Sequence, residues 1–222
     1  EYTYDAAGTK RSQKYYMNNT INKTTDFYTN FVYENSLPAW VSYDEGRVVL
    51  NSNGTASINE AYLKDHLGNI RVAYYWQAGS LKTQQVDSYY PFGMNIKGLT
   101  ANGSATYKPN EYLYNGKMMQ DEMGLGWLDY GARFYDPVLG RWHSVDPKAE
   151  KYFSWTPFVY VGNNPIRLID PNGKEWVDGK GNLIYDPKEN GGKGGYTSYS
   201  STNDRNIGNA LLSTKTGTEQ FN

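Results

Sequence analysis

The order of apolar and polar positions points to strands rather than helices. Tyr2-Thr3-Tyr4-Asp5-Ala6-Ala7-Gly8 sets strand-favouring residues before a turn that ends in Gly. Phe27-Tyr28-Thr29-Asn30-Phe31-Val32-Tyr33 alternates aromatic with smaller or polar positions, the period of one strand. Arg47-Val48-Val49-Leu50 follows the turn Asp44-Glu45-Gly46. Tyr62 to Trp76 predicts a hairpin whose two strands flank Asp65 to Asn69, with Gly68 free to take a positive φ. A further strand signal precedes Pro91-Phe92-Gly93. Helical periodicity is weak. One short helix is expected from Pro147 to Tyr152, with Asp146 as its cap and Pro147 at its first position, and another from Ile207 to Leu212.

Composition sharpens this picture. The 222 residues hold 22 Tyr and 23 Gly, with many Asn and Thr. Tyrosine offers a large apolar body and a hydroxyl for water or a backbone carbonyl, and it favours strands. The expected class is therefore mainly β, with many turns. There is no Cys, which excludes a disulfide framework, a thiolate metal site and a cysteine nucleophile. Net charge is −1, which argues against a protein built to hold nucleic acid or an anionic membrane surface. No apolar run is long enough to span a bilayer as a helix, so this segment is not expected to insert into a membrane.

Residues 112 to 173 are dense in aromatics and Gly and carry Asp136-Pro137, Asp146-Pro147 and Asp170-Pro171; Asp186-Pro187 follows. After Gly173 the composition shifts, and the Gly-rich stretch Asn190 to Gly195 reads as a linker or loosely packed segment. The opening residues read as the middle of something larger, and the end reads as the start of a further domain.

Several segments carry a resemblance. Tyr2-Thr3-Tyr4-Asp5-Ala6-Ala7-Gly8 resembles a YD repeat of the RHS (rearrangement hot spot) family. Asp65-His66-Leu67-Gly68-Asn69-Ile70-Arg71, Tyr89-Tyr90-Pro91-Phe92-Gly93 and Tyr112-Leu113-Tyr114-Asn115-Gly116-Lys117 are similar to further segments of that family, in its order. Gly131-Ala132-Arg133-Phe134-Tyr135-Asp136-Pro137, Gly140-Arg141-Trp142, Ser144-Val145-Asp146-Pro147, Tyr160 to Pro165 and Asp170-Pro171-Asn172-Gly173 resemble its repeat-associated core.

The resemblance implies an architecture: antiparallel hairpin repeats forming the terminal part of a hollow β-shell, closed by a core, or plug, containing short helices. It divides the chain into shell hairpins over 1–110, the associated core over 111–173, and a linker with the start of a variable domain over 174–222. It implies a secreted or bacterial surface polymorphic toxin, active in interbacterial competition, that encloses a C-terminal effector. Its partners would be the rest of the shell and that effector, with an immunity or secretion-system protein as a further candidate. No cofactor is implied.

The resemblance also implies an aspartic-protease-like self-cleaving element. Its acids would be Asp146 and Asp170, its arginine Arg133, and its cut would fall within Gly173, Lys174 and Glu175. Two carboxylates close together share one proton, because both cannot easily ionise; one can then act as base on water and the other as acid. An arginine nearby holds one carboxylate charged or stabilises an oxyanion. The pattern departs at Ala149 and Lys174, where the family has Gly and Leu. The same residues also admit a plainer reading, an uncleaved scaffold for adhesion or for binding a glycan or partner, in which Asp-Pro pairs only form turns. Arg141 and Trp142 read as packing residues, and His66 as a hydrogen-bonding turn residue. With His143 it makes only two imidazoles, too few for a metal site by themselves. Asp178 to Asn182 has the outline of a calcium loop, but Lys180 sits where an oxygen is needed, so a turn between Trp176-Val177 and Leu183-Ile184-Tyr185 is expected.

Overall fold

The computed structural model describes residues 1–102, 107–151, 155–186, 195–202, 204 and 205. The described chain is mainly antiparallel β, with short 3-10 turns and no long helix. It divides into two compact units.

The first unit comprises residues 1–65, 70–88 and 96–110. Its sheet runs β1 (Tyr2–Tyr4), β2 (Lys10–Met17), β3 (Thr20–Tyr28), β4 (Phe31–Glu34), β5 (Leu37–Tyr43), β6 (Gly46–Leu50), β7 (Ala56–Lys64), β8 (Ile70–Gln77), β9 (Ser80–Val86) and β10 (Ala101–Asn102). Each strand pairs with its neighbour in sequence, giving a ten-stranded meander. Tight turns make this possible. Asn18-Asn19, Asn35-Ser36 and Ala78-Gly79 hold positive φ at both central positions, the geometry that matches the twist of a two-residue hairpin.

One expectation fails here. Phe27 to Tyr33 is not one strand: β3 ends at Tyr28 and β4 begins at Phe31. Thr29 turns the chain at a φ of 58°, a conformation that a β-branched residue rarely takes and that leaves no Gly or Pro signal in the sequence.

Register explains the packing. Phe27 faces Val32, Val32 faces Trp40, Trp40 faces Val49 and Val49 faces Ile58 across successive strands. This row is an apolar stripe on one side of the sheet. Trp40 at its centre is buried, with Lys108 Nζ 4.9 Å and the Arg47 guanidinium 5.6 Å from its ring centroid. Burying such a side chain contributes about 3 kcal/mol. Two residues along, on the same side, Arg47 and Glu60 face each other on β6 and β7 as a buried ion pair at 3.1 Å. Gly46 permits it: a Cβ there would lie 1.9 Å from the Glu60 carbonyl oxygen. Burial pushes the Glu60 carboxyl above its ordinary value, against the pull of Arg47.

The second unit comprises residues 66–69, 89–95 and 111–222. It holds a four-stranded sheet of β11 (Met118–Gln120), β12 (Trp127–Asp129), β13 (Phe134–Asp136) and β14 (Arg141–Trp142). Two small ladders follow, β15 (Leu168–Ile169) with β16 (Val177–Asp178), and β17 (Tyr185–Asp186) with β18 (Gly195–Tyr196). The core is aromatic: Tyr114, Tyr130, Tyr135, Trp142, Trp155, Tyr160, Trp176 and Tyr185 pack with Leu128, Val159, Val161, Leu168 and Ile184. Tyr135 and Tyr160 lie 4.2 Å apart between centroids. Buried hydroxyls need partners, and Asn115 supplies one: its Oδ1 accepts from Tyr130 at 2.7 Å and Tyr160 at 2.6 Å. Asn115 also donates its backbone N–H to Asn69 Oδ1 at 2.7 Å.

The helix expected from Pro147 to Tyr152 is a single 3-10 turn at Ala149–Lys151. Tyr152, the Gly-rich stretch from Asn190 to Gly194 and the helix expected from Ile207 to Leu212 lie outside the described residues. The turn expected at Asp178 is present: Asp178 Oδ1 accepts from Lys180 N and Asn182 N, both at 2.9 Å. Beyond Gly173, the described residues Trp176, Ile184, Tyr185 and Asp204 are buried in this unit.

Candidate functional site

Three loops of the second unit meet at Arg133. The residue precedes β13, whose pairing with β12 and β14 fixes its backbone. Its side chain is fully buried and lies 4.1 Å over the Trp142 ring. A buried guanidinium must have its donors satisfied. Nη2 pairs with Asp146 Oδ2 at 2.8 Å and with Asp170 Oδ2 at 3.4 Å. Nη1 donates to the Pro157 carbonyl at 3.2 Å, and Nε donates to the Gly173 carbonyl at 2.6 Å. The sequence-selected residues Arg133, Asp146, Asp170 and Gly173 thus come together. The arrangement differs from the expected one in detail: the two acids meet on one guanidinium nitrogen rather than on each other.

The two Asp-Pro turns are unequal. Asp170 Oδ1 accepts backbone N–H groups from Gly173 at 2.6 Å, Lys174 at 3.0 Å, Asn172 at 3.2 Å and Glu175 at 3.5 Å. The loop curls around this oxygen because Gly173 takes a φ of 77°. A Cβ there would also sit 3.2 Å from Arg133 N. Asp146 Oδ1 accepts only from Lys148 N, at 2.7 Å. Ala149 is not among the positive-φ residues, so the departure from Gly there carries no backbone strain.

The acids differ in burial as well. Asp170 is fully buried, whereas the Asp146 side chain is 10% exposed. Burial pushes the Asp170 carboxyl above its ordinary value, against Arg133 and the amides, which favour the charged form. Burial lowers the Arg133 guanidinium, against the two carboxylates. Of the cleavage-region residues, Lys174 is exposed and Glu175 pairs with Lys148 at 3.2 Å.

Sequence reasoning missed some neighbours. Lys117 Nζ donates to the Pro171 carbonyl at 2.7 Å and lies 5.2 Å from the Tyr130 ring centroid. Burial lowers its ammonium below the ordinary value, against Asp170 and Asp129. Its place in Tyr-Leu-Tyr-Asn-Gly-Lys was the available signal. The remaining candidates are dispersed. His66 Nε2 lies 2.8 Å from the Ile166 carbonyl oxygen. His143 stacks on Trp127 at 3.8 Å and lies 3.6 Å from Asp136. Asp136 Oδ1 caps its own turn, accepting from Val138 N at 2.8 Å and Leu139 N at 3.0 Å.

No family model matches the sequence. Over 97 residues, 42% of the chain, it is 36% identical to toxin subunit YenC2 of Yersinia entomophaga, and over 95 residues 39% identical to YenC1. Over 112 residues it is 35% identical to salivary gland surface protein 1 of Aedes aegypti. The chain spans 3–9% of the length of these relatives. The crystal structure of TcdB2-TccC3-TEV matches 78% of this chain with a TM-score of 0.60 at 20% identity, and covers 9% of that chain. A Tc holotoxin pore of Photorhabdus luminescens matches with a TM-score of 0.59 at 21% identity, over 78% of this chain and 8% of that one. The class is therefore a mainly antiparallel β region with the fold found in these Tc structures. More particularly, over about two-fifths of its length it is homologous to the YenC toxin subunits, which fits an RHS-type region.

Proposed function

We propose that the chain is the C-terminal part of an RHS-type toxin component, secreted or displayed on a bacterial surface. In this reading residues 1–110 end the shell, the block from 111 closes it, and a variable effector follows. A solved relative described as TcdB2-TccC3 without a hypervariable C-terminal region supports a variable tail in proteins of this fold.

The block would cut its own chain once, behind Gly173. The supporting observation is the bond from Arg133 Nε to the Gly173 carbonyl, with both acids on the same guanidinium. Arg133 polarises the Gly173 carbonyl and stabilises the oxyanion. Asp146, the acid nearer solvent, takes a proton from water. The water oxygen adds to the Gly173 carbonyl carbon. Asp170, biased toward its protonated form by burial, gives a proton to the leaving nitrogen as the C–N bond breaks, its Oδ1 being the atom to which the Lys174 N–H donates at 3.0 Å in the intact chain. The products are a carboxylic acid at Gly173 and an amine at Lys174, and transfer of the acid's proton to the amine leaves a carboxylate and an ammonium. One observation favours the scaffold reading instead: Asp170 Oδ1 is fully engaged by backbone amides, as in a purely structural turn.

Intact mass measured under denaturing conditions separates the two. The natural full-length protein should give two fragments breaking within Gly173 to Glu175, and D170N should stay whole. An unbroken parent chain would leave the scaffold reading.

A further inference from the structure

We infer that the first unit carries a peptide-binding pocket, built by β5, β6 and the residues at Lys108, which takes an extended segment presenting an apolar side chain next to a carboxylate. The pocket is separate from the acids of the second unit and does not depend on a cut.

Its shape follows from the ladder. Trp40 faces Val32 but Pro38 faces Tyr33, so Ala39 is an extra residue on β5. A bulge of this kind re-aims side chains, so that consecutive residues can border one space. Pro38, which has no N–H to give to a ladder, suits such a place. Pro38, Ala39 and Trp40 line a cavity of about 350 Å³ together with Val49 and Leu50 of β6. That volume lies within the range of small-ligand sites.

Charge and a donor give the cavity its chemistry. Lys108, Arg47 and Glu34 reach its wall. Glu34 pairs with Lys108 and, at 3.3 Å, with Lys23, while Arg47 pairs with Glu60. In this cluster three cations stand against two carboxylates, so a further anion is favoured. Trp40 is 2% exposed, and its Nε1–H has no hydrogen-bond partner among the described residues. A buried N–H left in that state costs about 1–3 kcal/mol, which a ligand oxygen in the cavity would recover.

The first unit already grips main chain in this manner, which favours a peptide over a free acid. Arg47 Nη2 donates to the Lys108 carbonyl at 2.7 Å, and Gln84 Nε2 donates to the Tyr107 carbonyl at 3.1 Å. Residues 107 and 108 are thus held by side-chain donors from β6 and β9 rather than by strand pairing. A second segment in the cavity would meet donors of the same kind. Its carboxylate would accept from Trp40 Nε1 and share Lys108 with Glu34, and its apolar side chain would lie against Pro38, Val49 and Leu50.

Calorimetric titration of the natural full-length protein tests this. The probes are acetyl-leucyl-aspartyl-leucine amide, its asparaginyl counterpart and free hexanoate. Saturable binding of the aspartyl peptide with a Kd of about 0.1–1 mM is expected. The asparaginyl peptide and hexanoate should each bind about fivefold or more weaker. K108M, at a side chain that is 33% exposed, should weaken the aspartyl peptide about fivefold and bring it level with the asparaginyl one. W40F removes the indole N–H and should weaken both peptides about threefold. Thermal melts check that the variants are folded, and K108M carries the test if W40F is not. No saturable binding by the parent, equal binding of the two peptides, or an unchanged Kd in K108M overturns the pocket. Hexanoate binding as tightly as the aspartyl peptide overturns the assignment to a peptide.

Discussion

Arg133 Nε donates to the Gly173 carbonyl oxygen at 2.6 Å, across 40 residues of sequence. The same guanidinium pairs with both Asp146 and Asp170, so removing it leaves both acids without that cation. R133M should cost about 3–5 kcal/mol, the range for breaking a buried pair from one side. R133K keeps the charge but not the fork and should recover only part of it. Urea denaturation checks both; a loss below about 1 kcal/mol for R133M would contradict the brace.

Asp170 gives a pH dependence of definite sign. Its folded carboxyl is raised above the ordinary 3.8 by burial. Below 3.8 the acid is protonated in both states and has no effect. As pH climbs from 3.8 toward the raised folded value, the unfolded chain ionises first, and stability falls. Above the folded value the loss is complete and flat. Unfolding free energies of parent and D170N should therefore diverge over that window. Glu60 shifts the same way, so the difference between the two proteins isolates Asp170.

The two Asp-Pro turns should respond differently to one methyl group. G173A forces Ala to a φ of 77° and brings a Cβ within 3.2 Å of Arg133 N, so about 1–2 kcal/mol should be lost. A149G should cost less than about 1 kcal/mol, because Ala149 already sits at an ordinary φ. Thermal melts of the pair test the contrast, and equal shifts would count against it.

In the first unit, R47M or E60L alone should cost about 3–5 kcal/mol, because each strands a buried polar partner. The double variant R47M/E60L should cost clearly less than the sum. A double-mutant cycle in denaturant reads the coupling, and simple additivity would argue against the pair.

Local chemistry was legible in the sequence and long-range pairing was not. Asp136, Asp146, Asp170 and Asp178 all cap their own turns, as the Asp-Pro and Asp-Gly pairs suggest. The hairpin around Gly68 was readable from its Gly and flanking strands. Thr29 was not, because nothing local marks a threonine that will turn the chain. Arg47 and Glu60 were passed over because their partnership is a matter of strand register. The candidate site was found through resemblance. Neither spacing nor composition shows that Arg133 stands between Asp146 and Asp170, or that Trp176 and Ile184 pack back upstream.

The neighbour-to-neighbour order of the ten strands bears on how the chain is made. Each hairpin can close as it leaves the ribosome, without waiting for distant sequence. The aromatic cluster cannot: it recruits Tyr114 and Tyr185 alike and is complete only once the latter has emerged. Folding would then be vectorial at first and concerted late. Protease resistance of stalled nascent chains should rise gradually through β9 and then jump once residue 185 is exposed.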